Sequence, residues 1–100
     1  MSTASFALTP HPAAPDGTAV AVTGEIDITN AVDFVKAITE RADSRQLVVD
    51  FSDLCFVDSA GFAALDDLLA RDAITIVIRP GSRLRRAATL MGLPYLDELP

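Results

Sequence analysis

Ser59 is the residue best placed to do chemistry in this chain. It lies in the run Val57-Asp58-Ser59-Ala60-Gly61, after an apolar stretch and at the mouth of an amphipathic one. That placement presents a hydroxyl at a strand-to-helix junction, where a serine ordinarily caps backbone N–H groups. Phosphorylation there would add roughly 1.5 to 2 negative charges at neutral pH. A small domain could change partners through that one atom. The same serine fits hydrolase chemistry poorly. A nucleophile elbow is Gly-x-Ser-x-Gly because small residues on both sides permit its strained turn, and Val57 stands at the first glycine position. An activated serine also needs a base within reach. The single histidine, His11, sits in a distant proline-rich turn and is expected to be solvated there. No catalytic residue is expected.

Other chemistry is sparsely supplied. One cysteine and one histidine make a poor metal-ligand set, and neither a metal nor a cofactor is expected. Neither a Gly-x-Gly-x-x-Gly run nor a Walker phosphate loop occurs, so nucleotide binding has no support in the sequence. Cys55 cannot form an intramolecular disulfide and is expected to be a small buried hydrophobe beside Phe56.

The chain of 100 residues fits a single domain, with half its residues hydrophobic and a formal net charge of −6. Residues 1–72 hold 12 acids against four bases, whereas residues 73–100 hold four arginines against two acids. A nucleic-acid binder normally shows a basic face, so nucleic acid is excluded as a partner. Met1-Ser2-Thr3-Ala4-Ser5 lacks the marks of a signal peptide. No apolar run approaches the ~18 residues of a membrane helix. No membrane insertion is expected, and the location expected is cytoplasmic.

The elements that must position Ser59 follow from periodicity. Residues 5–9 alternate weakly and 18–23 alternate around Val20 and Val22, two strands able to pair as a hairpin across Pro10, Pro12, Pro15 and Asp16-Gly17. Over residues 29–43, Ala31, Val35, Ile38 and Ala42 fall at i, i+4, i+7 and i+11, the stripe of a surface helix, with Thr29 as its N-cap. Residues 46–51 form a short apolar run suited to a central strand. Residues 52–57 are expected to connect it to a helix over 60–71, whose stripe is Phe62, Leu65, Leu68 and Leu69. Residues 74–79 give another buried strand. Ser82 can cap a third helix with stripe Leu84, Ala87, Ala88 and Met91, and Gly92-Leu93 suits a Schellman ending. The order β-β-α-β-α-β-α predicts an α/β fold with a mixed four-stranded sheet and helices on one face.

Three motifs in order, Thr23-Gly24-Glu25-Ile26-Asp27, Leu47-Val48-Val49-Asp50-Phe51-Ser52 and Phe56-Val57-Asp58-Ser59-Ala60-Gly61, resemble the STAS domain of bacterial anti-sigma factor antagonists. Arg85-Arg86 and Met91-Gly92-Leu93 are similar to that family's third helix and its ending, so the resemblance spans about residues 18–93 of one domain covering 1–100. It implies a non-enzymatic protein that binds an anti-sigma factor and thereby frees a sigma factor. The implied partner is also a serine kinase of the histidine-kinase-like ATPase type, and a phosphatase would reverse its action. Ser59 occupies the phosphorylated position. Asp58, Ala60, Gly61, Phe62, Glu25 and Asp27 would form the partner surface or its framework, with Gly61 keeping the first helical turn bare. Glu25 and Asp27 also suit ordinary turn and cap chemistry. An anion is tolerated at a helix N-terminus, so phosphate should spare the fold. Beside Asp58 it would repel an acidic partner surface and carry a desolvation cost.

Departures from the family pattern are the short Arg71-Asp72-Ala73 connection, Gly81-Ser82 in place of serine-proline, and the ending at Leu99-Pro100. That ending, residues 93–100, is also similar to compact STAS subunits that bind the ATPase of bacterial lipid-transport systems.

Overall fold

Strand β2 (Ala19–Ile26) organises the molecule, because its eight residues serve three neighbours. The computed structural model describes residues 4–43 and 45–100. Met1 to Thr3, which belong to the segment without signal-peptide character, lie outside the described residues. β1 (Phe6–Pro10) runs antiparallel along β2, with Phe6 opposite Gly24 and Pro10 opposite Val20. This is the expected hairpin. β3 (Leu47–Asp50) pairs in parallel with the first part of β2, Ala19 to Ala21, and on its other side with β5 (Ile74–Val77). β3 is therefore central, as its apolar run predicts.

A fifth strand corrects the expected connection over 52–57. β4 (Leu54–Val57) pairs in parallel with the last part of β2, from Gly24 to Ile26. β3 uses only the beginning of β2 and leaves that later edge open. The strand escapes sequence reasoning because it is four residues long and only its end residues, Leu54 and Val57, are buried. No period-2 signal survives in so short a run. Cys55 lies in this strand and is exposed, not buried as expected. Phe56 is half exposed as well. The β2–β4 register shifts between Gly24 and Glu25. Gly24 has φ +95°, and a Cβ there would sit 2.2 Å from the Ser5 carbonyl oxygen. Only glycine fits that crossing.

Three helices complete the order: α1 (Ala31–Ala42), α2 (Ser59–Ala70) and α3 (Leu84–Leu90). Val20, Val49 and Ile76 are register partners across the sheet, and they share one core with Phe34 and Ile38 of α1, Leu65 and Leu68 of α2, and Leu84 and Ala88 of α3. Each of the larger of these side chains, from valine up, stabilises the fold by about 1.5–3 kcal/mol relative to exposure. The α1 stripe is rotated from expectation, with Phe34 buried and Val35 only half-buried. α3 ends as its sequence predicts: Gly92 has φ +71°, its N–H bonds Thr89 O at 3.1 Å, and Leu93 N–H bonds Ala88 O at 2.9 Å. Met91 is 52% exposed and stands outside the core expected for it. It follows the last helical residue, beyond the buried stripe.

The chain beyond α3 returns to the sheet. Leu96 N–H bonds Ile76 O at 2.8 Å and Leu96 O accepts from Ile78 N at 3.0 Å, an isolated bridge on the edge of β5. Tyr95 and Asp97 hold this segment to α3 through Thr89 and Arg85. On the opposite edge of the sheet, the Arg41 guanidinium donates to the Leu8 carbonyl of β1 at 3.5 Å.

His11 is not the solvated loop residue expected. Its Nε2 bonds Asp50 Oδ2 at 3.0 Å and its Nδ1 accepts from Ala13 N at 3.1 Å. A neutral ring so placed carries its proton on Nε2. Asp50 is 3% exposed. Burial raises its pKa, but hydrogen bonds from the Ser52 hydroxyl and N–H, then His11 and the Arg79 charge, outweigh burial and hold the carboxyl below its ordinary range. The proline-rich turn is thus tied to the centre of the sheet. Among the described residues, no helix is long and apolar enough to cross a membrane.

Candidate functional site

The site forms where β2 and β4 end side by side and release the chain into α1 and α2. The backbone N–H of Asp58 donates to Ile26 O at 3.2 Å, which sets Asp58-Ser59 against Glu25-Ile26-Asp27. Asp58 has extended backbone angles (φ −94°, ψ −175°), and its Oδ1 accepts from Gly61 N at 2.9 Å. Asp58, not Ser59, is therefore the N-cap of α2. Ser59 is the first helical residue. The replacement is physically natural, since aspartate and serine cap about equally well and the carboxylate adds favourable charge at the helix N-terminus.

Asp58 has a second partner. Its Oδ2 accepts from Ile28 N at 3.2 Å, joining the β4–α2 junction to the β2–α1 loop. Side chains shape that loop from within. Asn30 is 7% exposed, accepts from Asp27 N at 2.9 Å and donates to Glu25 O at 2.9 Å. Asp27 Oδ1 accepts from the N–H of Thr29 at 2.8 Å and its hydroxyl at 2.5 Å. Asn30, rather than Thr29, stands at the N-cap position of α1, and its side chain makes no cap bond to that helix. Asp27 is half-buried in this network, whereas Glu25 is exposed beside Phe56 in the β2–β4 register.

Ser59 is exposed, while Ala60 is half-buried. The solvent stripe of α2 continues through Ala63, Asp66 and Ala70, at i+4, i+7 and i+11 from Ser59. The nearest of these, Ala63, is small and leaves the hydroxyl open to a macromolecule. Asp58 engages Gly61 N–H, so the N–H groups of Ser59 and Ala60 remain without intrahelical partners. A phosphate on Ser59 would meet them and the positive end of the helix dipole.

Two expected surface residues face inward. Phe62 is 5% exposed and belongs to the core, so its ring is not available as a contact. Gly61 does not open space for a visitor. A Cβ on it would lie 2.6 Å from Val57 Cγ1 and 2.8 Å from Ile26 O. Its lack of a side chain lets α2 settle directly on the ends of β2 and β4.

Sequence reasoning did not single out Asn30, nor the exposed Ile28 and Val32, which are 77% and 68% accessible; the Ile28 N–H bonds the capping aspartate. Val32 carried a signal, because it falls outside the apolar stripe of its own helix. Asn30 carried one too, as a capping-type residue directly before the first apolar position.

Comparison with known proteins is consistent with this geometry. The family model described as "Mlab, STAS domain" matches residues 11–96. No curated protein matches the chain. Among solved structures, the crystal structure of an anti-sigma factor antagonist from Mycobacterium paratuberculosis is similar at 29% identity and TM-score 0.71, over 97% of this chain and 88% of that one. The structure of the anti-sigma factor antagonist SpoIIAA in its unphosphorylated form is similar in fold, at 17% identity and TM-score 0.61, over 95% of this chain and 90% of that one.

Proposed function

The chain belongs to the STAS domain family, and from that premise we propose that it is an anti-sigma factor antagonist switched by phosphorylation of Ser59. Unmodified, it binds an anti-sigma factor that is also a serine kinase of the histidine-kinase-like ATPase type, and a sigma factor is released. Transfer of phosphate from ATP to the Ser59 hydroxyl ends that binding, and a phosphatase restores it. The protein acts in the cytoplasm as a binding module rather than an enzyme. Both ring nitrogens of His11, the only histidine, are already engaged, which leaves no imidazole base for a serine hydrolase.

One observation carries the reading: Ser59 is exposed at the first position of α2, on a stripe of small residues and beside an aspartate that has taken over the cap. Because Asp58 holds the helix end, the serine is spared structural duty. Phosphate at this position keeps favourable contact with the helix terminus while obstructing close approach. It also places a dianion that docking would have to desolvate, at a cost of several kcal/mol. The similarity at 29% identity to an anti-sigma factor antagonist supports the same assignment.

The test is incubation with an anti-sigma kinase and ATP, read as a phosphate mass shift. Ser59→Ala should bind with unchanged affinity and take no phosphate. Ser59→Asp should bind at least tenfold more weakly with nearly unchanged thermal stability. Parent-like binding by Ser59→Asp would refute the switch.

A second reading is an accessory subunit that binds the ATPase of a lipid-transport system. The matching family model and the C-terminal segment pinned to β5 and α3 favour it. It requires co-purification with a membrane-associated ATPase and no phosphate uptake from any cognate kinase.

A further inference from the structure

The surface around Ser59 has a chemical character of its own. Ile28 is 77% exposed and Val32, four residues on, is 68% exposed. The Ile28 N–H bond to Asp58 holds this pair next to Ser59, whose helix adds Ala63 and Ala70 to the same apolar surface. α1 and α2 pack against each other, so the two exposed stripes form one face. Its charged groups are mostly acidic. Asp27, Asp33, Glu40, Asp58, Asp66 and Asp67 lie in these segments, against Lys36, Arg41 and Arg71; Arg71 is paired with Asp67, and Arg41 reaches away to the Leu8 carbonyl.

We infer that this face docks a cationic partner surface: an apolar hollow that receives Ile28 and Val32, rimmed by lysine or arginine side chains that meet Asp33 and Asp66. The inference rests on the proposed function for the location of the docking face, and it adds the chemistry of what docks. Charge complementarity selects the occupant. An acidic partner would place like charges opposite Asp33 and Asp66, and a second copy presenting the same face would do the same. Ser59 stands on the same exposed stripe as Ala63 and Asp66, where an added phosphate brings bulk and a dianion that docking must desolvate.

The test uses no kinase and no nucleotide, so its outcome is separable from that of the phosphorylation assay. The full chain is titrated with a synthetic amphipathic leucine–arginine helical peptide, and separately with a leucine–glutamate peptide of equal length. Amide shifts are mapped by NMR. The arginine peptide is expected to move residues 28–33 and 59–66, with affinity falling as salt rises from about 50 to 300 mM. Asp33→Lys with Asp66→Lys should weaken it about tenfold, while Glu98→Lys, which changes net charge on the C-terminal segment, should leave it nearly unchanged. Equal binding of the glutamate peptide, shifts centred on α3 or the outer strands, or no binding of either peptide would overturn the inference.

Discussion

Gly61→Ala separates two roles that the same glycine could play. If the residue serves to leave the surface of α2 bare, alanine should be harmless or slightly stabilising, since it is favoured over glycine within a helix by up to about 1 kcal/mol. The geometry gives the opposite sign. The new methyl would stand 2.6 Å from Val57 Cγ1, 2.8 Å from Ile26 O and 3.2 Å from Ile26 Cγ2. The Val57 methyl can rotate away, but the Ile26 carbonyl is backbone and accepts from Asp58 N. The helix must therefore lift from the sheet. Overpacking of this kind costs about 1–3 kcal/mol, and the helix-propensity gain recovers part of it. A clash this close against backbone takes the upper part of that range, about 2–3 kcal/mol, so a net loss of about 1–2 kcal/mol remains, equivalent to roughly 4–15 °C in Tm for a domain of this size. Urea unfolding should show a lower midpoint at unchanged slope, with Ala63→Gly on the exposed stripe as the propensity control. Stability equal to or above the parent would refute the packing argument and return Gly61 to the docking surface.

Two further outcomes follow from the buried and exposed polar groups. Asp50 is held below its ordinary pKa, so its contribution is present above the unfolded value, near 3.9, and is lost as pH falls through the lower folded value. Asp50→Asn should cost about 1–3 kcal/mol at neutral pH, and the gap to the parent should close below about pH 4; a gap independent of pH down to 2.5 would contradict the assigned network. Cys55, exposed on β4, should react with a disulfide reagent in the native protein without denaturant, and a requirement for denaturant would show the strand to be covered.

Much of this architecture is visible in the residue pattern, because its longer elements are strongly periodic or bounded by glycine and proline. The hairpin, the central β3 and the Gly92 ending of α3 all follow from local rules. What escaped was decided by tertiary pairing. β4 exists because β2 outruns β3, a fact about register that no four-residue window contains. His11 is ordered by Asp50, 39 residues away. At the candidate site, the start of a helix near Ser59 and the exposed serine were legible, while the strand leading into it was not. The division of labour between Asp58 and Ser59 was not, since either residue caps well and only the fold fixes which one turns inward. Ile28 and Val32 drew no notice because single exposed apolar residues are common on protein surfaces, and only the Ile28 N–H bond to Asp58 ties that loop to the serine.

The outer margin of β1 has a consequence for how the molecule behaves in a crowd. A bare strand offers a ladder of donors and acceptors on which another chain can crystallise. Here one rung is occupied by the Arg41 guanidinium at the Leu8 carbonyl, and Pro10, the last residue of the strand, has no N–H to offer. A positive charge and a missing donor shorten the stretch of that flank on which a stranger can build a ladder.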